Sequence, residues 1–508
     1  LGKGVDVGKF FINLRWVYIS FIIVAVFGCQ RAEIRVNPET NNDLDRYDRA
    51  AEIIHKEYVD PVPAQKLFAW SIDGIQEGFG SRSFIEDEND PSLSNKNLLD
   101  YNLNSNYDIE DVKSKFRSLF SYSSGISRDF SSHNFVDSAI RGMLSHLDPQ
   151  CALLSPDDLQ KVKTSTEGKF TGVGIVITMK DGFVTTLFLL EGTPAQRAGI
   201  VVGDRIHRIN GIKVDNVEDA VREIRGSGGE RVTLTIARKN RENLIDYEIA
   251  RDVISNKSVC VRMLQSGFGY AWIGSFDENT ARDLEGTLAG LESTNGPLRG
   301  LVLDLRDNAG GLLGQAIEVS DIFLEKGPIV SVKGRIRRNS REFKARPNAV
   351  KHSYPVVVLI NERSASGAEI VASALQENNR AIVLGKPSYG KGSIQAVEEI
   401  GGGYGIKITI ARYKTPKGHL IQGRGVVPDV LIGDTLTDRL RKGISAEFSL
   451  THDPIIHIAL LAMEKAKSPY CYDLVSAARD IVEERKRLLG IDEDGSMKNE
   501  MNWRKEVI

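Results

Sequence analysis

Val356-Val-Val-Leu-Ile360 is an unbroken aliphatic run, and Asn361-Glu-Arg-Ser-Ala-Ser-Gly-Ala-Glu369 carries the chain out of it into a helical pattern. A short apolar run of β-branched residues reads as a strand buried on both faces, which demands helices above and below a sheet. Comparable runs at Gly269 to Ile273, Gly300 to Leu305 and Ala381 to Leu384 alternate with helical spacing at Thr280 to Leu291, Leu312 to Phe323 and Glu369 to Gln376. From about Gly269 onward the chain is therefore predicted to be α/β. Ser366 falls at a strand-to-helix turn, where a side chain is exposed and the free N–H groups of a helix start can stabilise an anion. Ser366-Gly-Ala-Glu369 is equally a capping box, and taken alone the segment favours that structural use.

A second segment changes the balance. Gly385-Lys-Pro-Ser-Tyr-Gly-Lys-Gly-Ser-Ile-Gln395 sets Lys391 between two glycines. Close-packed backbone can aim such a lysine inward, where desolvation disfavours its ammonium and leaves an amine able to take a proton from serine. Gln395 could hold that amine in register, or be an ordinary polar residue on a strand. The segment is one residue short of a phosphate-binding P-loop, but Gly392 stands where Ser or Thr is required, and Ser393 to Val397 alternates like a strand rather than opening a helix. Ser388-Tyr-Gly-Lys391 spells the S-x-x-K of penicillin-binding enzymes, yet Pro387, Gly390 and Gly392 do not suit the helix that motif occupies. In the third segment, Asp304-Leu-Arg-Asp-Asn-Ala-Gly-Gly311, paired glycines after a strand could present an N–H to an oxyanion opposite Gly367, or make an ordinary turn.

Upstream, Phe170 to about Asp252 has a different texture of short β runs and turns. Val173 to Met179 and Phe183 to Leu190 flank Lys180-Asp181-Gly182, and Asn210-Gly211 marks a tight turn after Arg205 to Ile209. Val217, Ala220, Val221 and Ile224 form one helical face before a last strand, Val232 to Ala237. Five or six strands with one groove-lining helix resemble a PDZ domain. Gly172-Val-Gly-Ile175 matches the loop that receives a peptide C-terminus, and Gly192-Thr-Pro-Ala195, Ala198-Gly199 and Gly203-Asp204 follow in order. Backbone N–H groups of Gly172, Val173, Gly174 and Ile175 would meet the carboxylate while the peptide adds as a strand; otherwise these glycines only make turns.

The rest of the chain frames these units. Its 508 residues exceed one compact core, and 66 basic against 68 acidic residues give a net charge of −2, which argues against a nucleic-acid surface. Lys3, Lys9 and Arg15 precede the apolar run Trp16 to Phe27, too short for a span but suited to a secretory signal, with Gly28-Cys29 resembling a lipoprotein processing site. Two helices are predicted between Asp43 and Gly78, broken at Pro61 and Pro63, then a Ser-, Asn- and acid-rich insertion from Gly80 to about His133. Helical spacing returns at Phe135 to Leu147, and Ser155, Pro156 and Asp158 read as the start of another helix. Four scattered cysteines and eight histidines hold no metal-ligand spacing, so no metal or cofactor is called for.

Taken together, the segments resemble the C-terminal processing (tail-specific) peptidases. The likeness runs from about Ser138 to Val430 and includes Gly142-Met-Leu-Ser-His-Leu-Asp-Pro149, the three segments above, and Tyr413-Lys-Thr-Pro-Lys-Gly418, Ile421-Gln-Gly423 and Pro428-Asp429. It implies Ser366 as nucleophile, Lys391 as general base, Gln395 as its orienting partner, and Gly310 or Gly311 with Gly367 at the oxyanion hole. Gly367 stands where the family usually has Ala, and Ala309 where Pro is common. The expected protein is multidomain α+β: an export signal (1–29), an N-terminal helical region (30–167, insertion 80–133), a PDZ domain (168–252), a Ser/Lys peptidase core (253–436) and a helical tail (437–508). It would be exported, periplasmic or anchored by lipid at Cys29, and would bind protein substrates by their C-termini. Self-association of the tail and an inactive core serving as a PDZ scaffold are the alternatives left open.

Overall fold

The computed structural model describes residues 38–79, 107–126, 130–433 apart from 181, 191, 240, 256–257 and 348–351, and 453–489. The proposed signal, Cys29 and residues 80–106 of the insertion lie outside them.

The central sheet is built as the aliphatic runs require. Its six strands lie in the order Val259–Met263, Phe268–Ile273, Gly300–Asp304, Val356–Ile360, Ala381–Gly385 and Val430–Leu431, all parallel except the antiparallel first pair. Alternation sorts each strand between two cores. Val356, Val358 and Ile360 face the helices Thr280–Asn295, Leu313–Phe323 and Gly367–Glu377. Val357 and Leu359, with Val302, Ile382 and Leu384, face Pro454–Lys465 and Cys471–Leu489. The two helices of the C-terminal region thus form the third layer of the core.

A second sheet, antiparallel, runs Ala152–Leu154, Tyr404–Lys414, Pro328–Gly334 and Arg341–Lys344, with Ser393–Gly401 also paired to Tyr404–Lys414. Its Ile400, Ile406 and Ile408 join the core of the N-terminal helices Pro38–Glu57, Ala64–Phe79, Ile109–Ile126 and Ser132–Ser145. The third of these corrects the sequence reading. Residues 109–126, placed in a polar insertion, form an amphipathic helix whose Val112, Phe116, Leu119 and Phe120 are buried. That i, i+4, i+7, i+8 stripe was present but masked by the surrounding Ser and Asp. Helices Ala64–Phe79 and Ser132–Ser145 touch backbone to backbone, because a Cβ at Gly142 would lie 2.2 Å from the Trp70 carbonyl and 2.7 Å from Gly74 Cα.

Between the two regions, Ile175–Lys180, Phe183–Leu189, Arg205–Ile209, Arg231–Ala237 and Ile245–Ala250 form an antiparallel sheet in that order. Asn210 and Gly211 both take positive φ, the tight turn their sequence predicts. The first strand begins two residues later than Val173: Val173 is instead buried in the domain core, and its carbonyl accepts Ala195 N–H at 2.9 Å. Lys169–Gly172 and Asp252–Ser255 pair where the chain enters and leaves. No described helix is long and apolar enough to cross a membrane.

Gly142→Ala should force the two helices apart and lower stability by about 2–3 kcal/mol, read as an earlier urea transition; an unchanged transition would refute the close contact.

Candidate active site

Strand Val356–Ile360 ends below the surface, and the turn Asn361 to Ala365 brings Ser366 to the start of helix Gly367–Glu377. Ser366 has φ 53° and ψ −111°, a conformation an L-residue adopts only under restraint. The restraint is Glu369. Its side chain is fully buried and accepts four donors: Ser366 N–H at 2.7 Å and Lys391 N–H at 2.9 Å on Oε2, Gly390 N–H at 2.6 Å and the Ser388 hydroxyl at 2.5 Å on Oε1. Burial raises the Glu369 pKa, and the four hydrogen bonds act against that rise. The predicted capping box is therefore present, and its carboxylate also holds the lysine turn.

A second tie crosses the same gap: the Tyr413 hydroxyl is shared between the carbonyl of Ser366, at 3.2 Å, and that of Lys391. Two backbone segments 25 residues apart in sequence are thus joined through an acid and a phenol. Sequence spacing pointed to neither in this role. Glu369 was visible only as a cap residue, and Tyr413 only as part of a motif.

Lys391 is half-buried, and the glycines beside it lie flat on the loop that follows strand Tyr404–Lys414. Gly392 N–H donates to Gln422 Oε1 at 2.9 Å, Gly390 O accepts Gly423 N–H at 2.8 Å, and a Cβ on Gly392 would come within 2.6 Å of Gln422 N. Burial lowers the Lys391 pKa and Lys407 adds to the effect, while Glu369 and Asp148 oppose it. Among the described residues no hydrogen bond holds its ammonium. The chain then enters strand Ser393–Gly401, not the helix of a phosphate-binding loop. Gln395 Nε2 donates to Ser393 Oγ at 2.9 Å and Thr409 Oγ1 at 3.3 Å, and no described hydrogen bond joins it to Lys391.

Gly310 lies against the serine. With φ 102°, it would place a Cβ 2.7 Å from Ser366 Cβ and 3.0 Å from Gly367 N, so only glycine fits there. Its N–H is taken by Asn308 Oδ1 at 2.8 Å, whereas the N–H groups of Gly311 and Gly367 have no acceptor among the described residues. Asn308 is buried, donates from Nδ2 to Ile273 O and accepts Ala365 N–H on its carbonyl, so it fixes the glycine loop and the serine turn together. Gly367 has its own reason to lack a side chain: a Cβ would sit 2.8 Å from the Phe276 ring.

In the upstream domain, Leu190 N–H donates to Gly174 O at 3.0 Å. A Cβ on Gly174, whose φ is 82°, would collide with Thr193. Strand Ile175–Lys180 pairs only with Phe183–Leu189 among the described strands, leaving its other edge open beside helix Val217–Ile224.

Comparison with known proteins gives the family of the chain. Residues 267–432 match the model of peptidase family S41 and residues 189–238 that of the PDZ domain. A carboxy-terminal-processing protease of Bartonella bacilliformis is 38% identical over 310 residues, covering 60% of this chain and 71% of that protein. The carboxy-terminal processing protease CtpA of Bacillus subtilis is 35% identical over 298 residues, 58% of this chain and 63% of that one. Among solved structures, the photosystem II D1 C-terminal processing protease shares 25% identity over 78% of this chain and 94% of its own, at a TM-score of 0.44.

Glu369→Gln should cost about 3 kcal/mol of stability, because an amide NH₂ would face backbone donors inside the core. Urea denaturation measures it, and a loss below about 1 kcal/mol would mean that the four bonds are not made together.

Proposed function

We propose, for a chain that belongs to the PDZ-containing C-terminal processing serine peptidases of family S41, that Ser366 and Lys391 cleave the peptide bond through an acyl-enzyme. The observation that carries this reading is the shared clamp, Glu369 and Tyr413 on the backbones of both residues, beside a lysine whose burial favours the neutral amine. In the first step the Lys391 amine takes the Ser366 hydroxyl proton as Oγ bonds to the carbonyl carbon. The resulting oxyanion would be met by the N–H of Gly367 at the helix start and by the glycine loop. Gly311 is the better donor of the Gly310 and Gly311 pair, since Gly310 N–H already serves Asn308. Collapse breaks the C–N bond, and the lysine proton passes to the departing amine. Water, deprotonated by the same lysine, then releases the acyl group and restores Ser366 Oγ–H.

Gln395 would orient the amine once substrate is bound. Its amide already sits in a polar row with Ser393 and Thr409 on the strands that lead from Lys391. Gly172, Val173, Gly174 and Ile175 would take the substrate's terminal carboxylate, and the open edge of Ile175–Lys180 would pair with the residues before it. Export, with an anchor at a lipidated Cys29, rests on the apolar run and Gly28-Cys29 of the sequence. Pairing of two chains is proposed only as an option for the helical tail.

Ser366→Ala and Lys391→Ala are each expected to lower kcat on an unstructured polypeptide by at least about a thousandfold. Activity of the intact enzyme should rise with pH as the lysine loses its proton, along a limb centred below the ordinary lysine value, because burial depresses that pKa. Full activity well below neutral pH, or a kcat in either alanine variant within about tenfold of the parent, would overturn the assignment.

A further inference from the structure

We propose that Asp453 is a positioning residue for the reaction, holding the glycine loop at the nucleophile through Arg306; the inference rests on the reading of Ser366 and the oxyanion donors given above. Asp453 opens helix Pro454–Lys465, nearly 150 residues after the loop in sequence and on the opposite side of the central sheet from helix Gly367–Glu377. Its Oδ1 caps that helix, accepting Ile455 N–H at 2.9 Å and Ile456 N–H at 3.2 Å. Its Oδ2 accepts Arg306 Nη1 at 2.9 Å. One carboxylate thus serves a helix end and a guanidinium together.

Arg306 is the second residue of the loop beyond strand Gly300–Asp304. Its Nε and Nη2 fork onto Asp304, at 2.9 Å to Oδ1 and 2.6 Å to Oδ2, and Asp304 also accepts the Tyr270 hydroxyl at 2.9 Å. Both carboxylates are largely buried, and Arg306 is 16% exposed. The planar fork therefore has no freedom to turn while Asp453 occupies its third nitrogen.

The next residues carry that fixed point to the active site. Asp307, at φ 63°, accepts Asn361 Nδ2 at 2.8 Å and Arg363 Nε at 2.6 Å, from the turn that precedes Ser366. Asn308 then sets the Gly310 amide. No helix or strand runs from Leu305 to Leu312; a single backbone bridge, Phe276 N–H to Gly310 O at 3.0 Å and Leu312 N–H to Phe276 O at 2.7 Å, ties the far end of the loop, and the side chains of Arg306, Asp307 and Asn308 hold the end that leads into the glycine N–H groups. Those donors must meet an oxyanion within a few tenths of an ångström, which makes the loop's anchorage matter for turnover rather than for substrate capture.

Asn at position 453 keeps an oxygen for the helix cap but withdraws the negative charge from Arg306, separating anchorage from folding. For the full-length chain, Asp453→Asn is expected to lower kcat about three- to tenfold with KM unchanged. The affinity for a peptide boronic acid, whose adduct mimics the tetrahedral intermediate, should fall by the same factor, with the thermal midpoint retained. Arg306→Lys keeps the charge but cannot serve both carboxylates, so adding Asp453→Asn to it should change nothing further. An unchanged kcat in Asp453→Asn, a loss confined to KM, a kcat loss that tracks a lower midpoint, or full additivity with Arg306→Lys would each overturn the proposal. If Ser366→Ala remains active in the same assay, the parent reading fails as well; if it is dead while Asp453→Asn is unaffected, only the anchorage fails.

Discussion

A single buried carboxylate holds this site together. Glu369 lies one helical turn after Ser366, and leaving it ionised in the interior would cost several kcal/mol if it were unpaired. Four donors converge on it instead, three from backbone and one from Ser388. The arrangement works in both directions: the donors keep the acid in place, and the acid dictates where Ser366 and Lys391 stand. A serine at φ 53° persists because both its N–H and its carbonyl are held, by Glu369 and Tyr413 respectively.

The surrounding layers exist in relation to that clamp. Tyr413 comes from a strand of the second sheet, so its hydroxyl is only as steady as the sheet itself. The N-terminal helices brace that strand: Val59 N–H donates to Thr409 O, Asp60 accepts both terminal nitrogens of Arg412, and Arg46 lies over the Tyr404 ring. On the opposite side the two C-terminal helices cover the central sheet and reach its active-site edge through Asp453. Regions with no chemistry of their own thus set the positions of groups that have it.

Much of the fold was legible because buried parallel strands and amphipathic helices leave periodic traces. Val356–Ile360 reads correctly from its residues alone, as does the Asn210-Gly211 turn and the helix begun by Ser155-Pro156, whose cap accepts Asp158 N–H. Other elements were missed. Strand Tyr404–Lys414 went unread although Ile406, Ile408 and Ile410 alternate with Lys407 and Thr409; its place in the sheet is set by the partners that pair on both sides of it. Ile109–Ile126 was lost in polar surroundings that hide a four-residue apolar stripe.

At the site the division is sharper. Ser366 before a helix, Lys391 between glycines and the paired glycines at 310 and 311 could be nominated from sequence, since each needs a residue type at a particular turn. Which groups hold them could not. The hydrogen bonds from Ser388, Gly390 and Lys391 to Glu369, from Tyr413 to Ser366, and from Arg306 to Asp453 span from about twenty to nearly 150 residues. Such contacts leave no periodic mark in a single chain. Sequence fixed the local turns because φ, packing space and strand length are properties of neighbouring residues, whereas only the closed tertiary structure brings an acid, a phenol and a guanidinium to turns that sequence keeps far apart.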